Sequence, residues 1–192
     1  MGYTHYYPRV KEFDIDKFSL VVKDCRAIIK EVEVRGIRIA GSHGDGEPTI
    51  TDDLIAFNGL EECGHTEKDL GITWPSDDAY GIGTQEEQVA GEWFAGLQLR
   101  HRSCGGDCSH ESFVLPRVVE SHWSGPDEKG LYFYFCKTAY KPYDLAVIMC
   151  LLIAKHHLGD DIQLCSDGTE AQWADGVYLV RQMFGYEELA PR

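Results

Sequence analysis

Apolar residues recur at helical spacing from position 15 to position 32, which predicts a long first helix. Asp14 or Asp16 can cap its start, and Gly36 ends the pattern. This spacing is typical of a helix that buries one face against a core. The apolar positions are Ile15, Phe18, Val21, Val22, Cys25, Ile28, Ile29 and Val32.

Short alternating runs on both sides of this helix predict strands. The N-terminal segment GYTHYYPRV alternates aromatic and polar side chains, and Pro8 would confine this strand to a sheet edge or end it. IRIAG, TITDDLIAFNG and SFVLPRVV are predicted as further short strands, with TDD as a turn.

The C-terminal third has the most regular pattern: strand LYFYFCKT, a helix opening on KPYD, strand DIQLCSD and a last helix. Strand, helix and parallel strand wind in a right-handed crossover, so we predict adjacent parallel strands at 131–136 and 161–166, joined through a helix at 143–158. Both faces of LYFYF and the whole of LAVIMCLLIA are apolar, which predicts burial on all sides. LAVIMCLLIA is too short to span a bilayer.

Residues 61–110 differ from the rest of the chain. They are rich in Gly, Asp, Glu and Thr and show only a weak strand pattern at GEWFAGLQLRHRS. An irregular insertion of this length in a compact domain needs either a cross-link that holds it, such as a bound metal, or a function. The whole pattern predicts one domain over residues 1–192 of the α/β or α+β class, with a mixed sheet, three main helices, a C-terminal β-α-β-α unit and this insertion.

Several motifs resemble those of a family of short proteins encoded by actinobacterial phages and some bacteria. They are the opening GYTHYY, CGGDCSHESFVLPR, FCKTAYKPYDLAV, and SDG before a final helix that contains a Trp. The resemblance spans most of the chain. It implies a phage or mobile-element context and transfers no mechanism, because the family carries no defined catalytic residues.

The charge balance narrows the classes of partner. Lysine and arginine total 18 against 32 aspartates and glutamates, for a net charge of -14 and a pI near 4.9. Such a surface disfavours binding to nucleic acid or to anionic membranes. Mimicry of DNA by an acidic face remains an alternative. The N-terminal segment lacks the apolar stretch of a signal peptide, and the cysteine count is an odd seven. We therefore expect reduced thiols in a cytoplasm, that of the host cell if the protein is phage-encoded.

Potential zinc ligands lie at the two ends of the insertion. They are Cys63, His65, Cys104, Cys108 and His110. Zinc takes about four such ligands in a tetrahedron, so one structural zinc could tie both ends together. The C-x-H and C-x3-C spacings differ from the common C-x2-C, which leaves a Cys104–Cys108 disulfide or plain reduced cysteines as alternatives. A catalytic zinc would also need a nearby base, for which Glu111 is the adjacent candidate.

The segment FCKTAYKPYD predicts an anion site at a helix start. Pro142 suits the first turn of a helix, where its missing N–H costs nothing. If Lys141 is the N-cap residue, the free amides flanked by Lys137 and Lys141 suit a phosphate or carboxylate. The alternative is that Thr138 caps the helix and both lysines are solvated.

Other candidate ligand-binding residues lie on the same predicted sheet edge or near it. Tyr140 or Tyr143 could supply a stacking face or a hydroxyl, while Asp167 could orient a ligand or simply form a turn in SDG. His5 is either a hydrogen-bonded structural residue or a catalytic one. Arg117 is either a salt-bridge partner or a second anion contact.

These residue types do not add up to a defined reaction. Walker A, G-x-G-x-x-G, G-x-S-x-G and H-E-x-x-H motifs do not occur in the sequence, which removes the best-defined nucleotide-binding and hydrolase classes. The first hypothesis is a phage-associated accessory protein that binds, or acts on, a small phosphate-bearing ligand or nucleotide at the polar sheet edge. The second is a non-enzymatic acidic protein that engages a host protein.

Overall fold

The computed structural model describes residues 3–64, 71–75, 91–94, 97–102, 104 and 106–187, with the backbone alone for 71–75, 91–94, 97–101 and 171. The described chain forms three main helices and three antiparallel sheets, which confirms the predicted mixed α/β class. The helices are α1 (Ile15–Val34), α2 (Asp144–Leu158) and α3 (Glu170–Phe184). The strands are β1 (Thr4–Tyr6), β2 (Ile39–Ala40), β3 (Thr49–Ile50), β4 (Leu54–Gly59), β5 (Gly71–Pro75), β6 (Gly91–Phe94), β7 (Leu97–His101), β8 (Phe113–Pro116), β9 (Phe135–Lys137) and β10 (Cys165–Ser166).

Side chains at the helix starts account for where α1 and α3 begin. The Asp14 carboxylate accepts the amides of Asp16 and Lys17, so it is the N-cap of α1. Thr169 and Gln172 form a reciprocal capping box at the start of α3. By contrast, the N-cap of α2 is Tyr143, which makes no side-chain capping bond. The start of α2 is instead held by hydrogen bonds from His5 and Thr138 to the side chain of Asp144, its first residue.

The predicted pairing of the two C-terminal strands is wrong. β9 and β10 are not neighbours, because β1 lies between them and pairs antiparallel with both. In this register His5 lies opposite Cys136 on one side and Ser166 on the other. β9 and β10 still run in the same direction, because both are antiparallel to β1. Both strands therefore end beside the residue at which β1 begins.

Backbone hydrogen bonds explain why the N-terminal segment occupies the central position. Beyond β1, the Arg9 amide donates to the Tyr132 carbonyl and the Gln163 amide donates to the Pro8 carbonyl. The N-terminal segment therefore satisfies backbone groups of both C-terminal strands. Pro8 was predicted either to end its strand or to confine the strand to a sheet edge. It follows the end of β1, and β1 is the central strand of its sheet, so the first of these alternatives holds.

The segment predicted as an irregular insertion contains regular structure. Strands β5, β6 and β7 form a three-stranded antiparallel sheet in the order β5-β7-β6. The weak strand pattern at GEWFAGLQLRHRS corresponds to β6 and β7. A second sheet is built on β4, which pairs with β2, β3 and β8, and the TDD segment is the turn between β3 and β4.

The hydrophobic core surrounds α2. Its residues from Leu145 to Ala154 are all buried, as predicted, and α2 packs against both α1 and α3. Gly176 of α3 lies so close to Ile148 that a Cβ would overlap its side chain, which brings these two helices into tight contact. The expected burial of both faces of LYFYF is wrong, because Phe133 and Phe135 are exposed. An antiparallel sheet can leave one face uncovered, whereas the predicted parallel sheet could not.

Candidate functional site: a buried polar network beside a cysteine cluster

One end of the sheet formed by β10, β1 and β9 brings together polar residues that are far apart in the chain. β1 begins there, β9 and β10 end there, and the first residue of α2 lies against them. His5, Asp144 and Ser166 thereby become neighbours. We define the polar network as these three residues together with Arg102 and Asp175.

Hydrogen bonds join the three residues in a chain. The Ser166 Oγ lies 3.0 Å from Nδ1 of His5, and Nε2 of the same ring lies 2.7 Å from Oδ1 of Asp144. His5 and Asp144 are fully buried, whereas Ser166 is partly exposed. The chain of contacts therefore leads from a buried carboxylate to a hydroxyl that solvent can reach.

Asp144 is held as a carboxylate. Burial alone would raise its pKa, but His5, Arg102 and the Thr138 hydroxyl outweigh this effect and hold the pKa below the ordinary value. The Thr138 hydroxyl donates to the same carboxylate at 2.5 Å. Asp144 is therefore ionised at neutral pH and acts only as an acceptor.

Arg102 connects this carboxylate to a second one. Its guanidinium lies 3.5 Å from Oδ2 of Asp144 and 3.1 Å from Oδ2 of Asp175, and it is fully buried. It also lies 4.8 Å from the centre of the Tyr140 ring. Tyr140 and Ala139 both have positive φ, at 56° and 51°, a conformation that costs energy in residues with a Cβ. This strained turn places the Tyr140 ring against Arg102.

Three buried donors around the network have no acceptor among the described residues. Five buried side-chain nitrogen or oxygen atoms lack a hydrogen-bond partner among the described residues, and Oη of Tyr3, Nε of Arg102 and Nε1 of Trp173 are three of them. The rings of Tyr3 and Trp173 lie 5.0 Å and 5.1 Å from the His5 ring. Burial and then the Asp144 charge raise the pKa of Tyr3, so its hydroxyl keeps its proton and can donate. A buried donor without an acceptor costs about 1–3 kcal/mol, which a ligand oxygen would recover.

The cysteine cluster consists of Cys63, Cys104 and Cys108. All three are buried, their sulfur atoms lie within 4.8 Å of one another, and those of Cys63 and Cys104 are 3.6 Å apart. Zinc–sulfur bonds of about 2.3 Å in a tetrahedron place sulfurs about 3.8 Å apart, so the spacing fits a metal. Burial and the neighbouring thiols raise the pKa of Cys108, so a cation would be needed to hold the cluster as thiolates. The cluster could therefore hold a metal ion.

Close backbone packing brings the two parts of the cluster together. The Cys63 amide donates to the Gly106 carbonyl and the Cys108 amide to the Leu60 carbonyl. Gly59 lies against the Cys108 backbone, where a Cβ would overlap the carbonyl group. A residue with a side chain at position 59 would therefore push Cys108 away.

Lys141 joins the cysteine cluster to the start of α2. Its ammonium donates to the carbonyl of Cys104 at 3.0 Å and to that of Asp107 at 2.7 Å. The predicted anion-binding lysine thus contacts the segment that also carries Arg102. The two amides at the helix start, those of Asp144 and Leu145, donate to the carbonyls of Lys141 and Pro142.

The structure places Lys137 and Tyr143 beside the segment that contains His110 and Glu111. The Lys137 amide donates to the Glu111 carboxylate, and its carbonyl lies 2.6 Å from Nδ1 of His110. The Tyr143 hydroxyl donates to the Glu111 carbonyl at 2.5 Å. His110 is therefore engaged away from the three cysteines and is not part of their cluster.

The remaining predicted site residues lie in different places. Asp167 accepts from the Tyr6 hydroxyl at the same sheet edge. Arg117 follows β8 and pairs with Glu12 and Asp53, the salt-bridge role that was one of its two predicted alternatives. His65 lies outside the described residues.

The network and the donors around it include residues that were not candidates in the sequence. Arg102 follows β7 in the segment predicted as irregular, and Tyr3, Trp173 and Asp175 were not singled out. Asp144 belongs to the KPYD segment, which was predicted as a helix start. His5 was a candidate on its own, and its contacts with Asp144 and Ser166 were not predicted, because 139 and 161 positions separate the contacting pairs.

No described helix is both long and apolar enough to cross a membrane. The chain matches no protein-family model, and no curated protein and no solved structure matches it significantly. Any function therefore rests on the geometry of the polar network and the cysteine cluster.

Proposed function

We propose that the protein binds, or acts on, a small phosphate-bearing ligand such as a nucleotide at the polar network. The observation that supports this most directly is the set of three buried donors, on Tyr3, Arg102 and Trp173, that have no acceptor among the described residues. A phosphate group presents several acceptor oxygens in a small volume. It could accept from all three donors at once.

Arg102 is the cation of the network that a phosphate would contact, and the carboxylates of Asp144 and Asp175 already accept from protein donors. Lys137 lies opposite Thr4 in the register, so its side chain is on the other face of the sheet from His5 and Ser166 and outside the network. The Tyr3 and Tyr140 rings pack together beside Arg102 and limit the access of water, which strengthens hydrogen bonds to the ligand.

Replacing Tyr3 with phenylalanine tests this function, because it removes only the unpartnered hydroxyl. A thermal-shift screen of nucleoside phosphates and cyclic dinucleotides would identify a ligand, and calorimetry would measure its affinity. A lost hydrogen bond to a charged group costs about 1.5–3 kcal/mol, so we expect affinity to fall about tenfold to a hundredfold. Stability should change little, because the hydroxyl has no hydrogen-bond partner in the described part of the chain.

Tyr6→Phe is the matched control. It removes a tyrosine hydroxyl from the same N-terminal segment, but one that contacts the exposed Asp167. Unchanged affinity in both variants, or the absence of any phosphate ligand in the screen, would refute the proposed function.

The cysteine cluster is proposed to hold one structural zinc. Three thiolates are soft ligands that suit zinc, and the measured sulfur spacing fits its coordination geometry. A fourth ligand has to come from elsewhere, and His65 is the candidate that the sequence offers. Zinc would fix the segment from Arg102 to Cys108 and thereby the position of Arg102 in the polar network.

Protein purified without chelator is expected to contain about one equivalent of zinc, and Cys108→Ser is expected to lose most of it. Cys165→Ser, which changes an exposed cysteine outside the cluster, should keep the wild-type content. Elemental analysis measures both. Less than about a tenth of an equivalent in the wild type would argue against the zinc site.

The second candidate function is that of an acidic accessory protein of a phage that engages a host protein. Exposed aromatic side chains support it: Trp123 is 77% exposed, and Phe133 and Phe135 lie side by side on the sheet surface. Aromatic residues are enriched at protein interfaces. A protein of this kind would give no shift in the nucleotide screen, which separates it from the first candidate.

A further inference from the structure

The hydroxyl of Ser166 lies within hydrogen-bond distance of two acceptors, the Thr4 carbonyl at 3.2 Å and the His5 ring at 3.0 Å. Because Asp144 is ionised, it can only accept a hydrogen bond, so Nε2 of His5 carries a proton. In the tautomer with this single ring proton, Nδ1 has a free lone pair, and it lies 3.0 Å from Oγ of Ser166. A serine hydroxyl on the basic nitrogen of a histidine, with a carboxylate on the other nitrogen, is the arrangement that activates serine as a nucleophile.

A hydrogen-bond donor for a ligand oxygen, the Tyr3 hydroxyl, lies near the Ser166 hydroxyl. The Gly168 amide donates to Oγ of Ser166 at 2.9 Å. A Cβ on Gly168 would lie 2.6 Å from Oη of Tyr3, so the unpartnered Tyr3 hydroxyl and the Ser166 hydroxyl both border Gly168. Glycine at position 168 leaves room for the Tyr3 ring, and a phosphoryl oxygen of a molecule at Ser166 would come within reach of the Tyr3 hydroxyl.

We infer that Ser166 is the nucleophile of a phosphodiester hydrolase, with His5 as its general base and Asp144 as the residue that positions His5. This inference rests on the proposed function, since it assigns a reaction to the same phosphate-binding site. The phosphorus of a bound phosphodiester would face Oγ of Ser166. Its free oxygens would accept from the three donors that have no partner among the described residues.

The reaction balances without any reagent except water. Oγ of Ser166 forms a bond to phosphorus as its proton passes to Nδ1 of His5. One ester P–O bond breaks, and the leaving oxygen takes that proton and departs as an alcohol. Water then attacks the phosphoryl-serine and gives a proton to His5, the bond between Oγ and phosphorus breaks, and Oγ recovers the proton. The products are a phosphomonoester and an alcohol.

An alkyl fluorophosphonate probe tests this inference on the wild-type protein, so the result does not depend on whether a variant folds. Oγ of Ser166 would form a bond to phosphorus, fluoride would leave, and the proton would pass to His5. Mass spectrometry of the digested protein should find one probe adduct, on Ser166. Absence of this adduct, under conditions that fully label a known serine hydrolase, would overturn the inference.

Variants and a substrate complete the test. Ser166→Ala should abolish both labelling and the release of 4-nitrophenol from bis(4-nitrophenyl) phosphate, while Ser109→Ala should leave both unchanged. Asp144→Asn should slow labelling at least tenfold and alter its pH profile, which loss of packing alone would not do. Release of nitrophenol from 4-nitrophenyl acetate but not from the phosphodiester would overturn the assigned substrate class. Nucleotide binding by calorimetry with an unlabelled Ser166 would overturn this inference and leave the proposed function standing.

Discussion

Replacing Asp144 with alanine is expected to lower the free energy of unfolding by about 3–5 kcal/mol, because it removes one partner from a buried charged network. His5, Arg102 and Thr138 all direct hydrogen bonds to this carboxylate, and His5 and Arg102 are fully buried. Without the carboxylate, the buried Arg102 charge loses one of its two described ion pairs. Urea denaturation followed by circular dichroism measures the change.

Asp53→Ala is the control, since it removes a carboxylate from an exposed ion pair with Arg117. Exposed pairs contribute at most about 1 kcal/mol, so this variant should unfold almost like the wild type. Equal, small effects of the two substitutions would contradict the assigned role of the polar network.

The pH dependence of this effect has a defined sign. A carboxylate whose pKa falls on folding adds stability that is fully present above its unfolded pKa, about 3.9 for Asp. That stability is lost as the pH falls through the lower folded value. The difference between the wild type and Asp144→Ala should therefore be constant at neutral pH and shrink below about pH 4.

Replacing Gly59 with alanine is expected to cost about 3 kcal/mol or more of unfolding free energy, at the upper end of the overpacking effects seen in cores. The new Cβ would overlap the carbonyl group of Cys108, which is backbone and cannot rotate away. Because Cys108 would have to move, the content of the proposed zinc should fall together with the stability. Chemical denaturation and elemental analysis measure the two effects.

Gly125→Ala is the matched control. A Cβ at position 125 would meet no atom within 4 Å, and its φ is not in the left-handed region. We expect its stability to change by less than about 0.5 kcal/mol and its zinc content to stay the same. A Gly59→Ala protein with wild-type stability would show that the close contact between Gly59 and Cys108 is absent in solution.

The helices were predictable from the sequence because their signals are local. The cap at Asp14, the spacing of apolar residues in α1 and the apolar run of α2 all depend on neighbours within a few turns. Strand order is not local. The choice of β1 as the partner of both β9 and β10 depends on which backbone groups meet in three dimensions, and alternation alone does not encode it.

The site was predictable only in part, for the same reason. The sequence grouped Cys63, Cys104 and Cys108 with His65 and His110 as possible ligands, and the structure brings the three cysteines together without His110. The polar network depends instead on contacts between residues far apart in the chain. Arg102 in particular lies in a segment rich in glycine and acidic residues, where the strand β7 that leads to it gave only a weak pattern.

A lysine just before a helix can contact either an anion or the protein backbone, and Lys141 contacts the backbone. Its position before a helix start suggested an anion contact, but its ammonium donates to two backbone carbonyls beside the cysteine cluster. The cation in the polar network is Arg102. Lys141 and Arg102 both connect α2 to the segment from Arg102 to Cys108, so the cysteine cluster and the polar network are linked through the start of this helix.

The most direct test of the proposed phosphate-binding site is a crystal structure of the protein soaked with the nucleotide that gives the largest thermal shift. We expect phosphate density within about 3 Å of Tyr3 Oη, Arg102 Nε and Trp173 Nε1. Density for the nucleotide elsewhere on the surface, with the three donors bonded to acceptors from the protein itself, would contradict it.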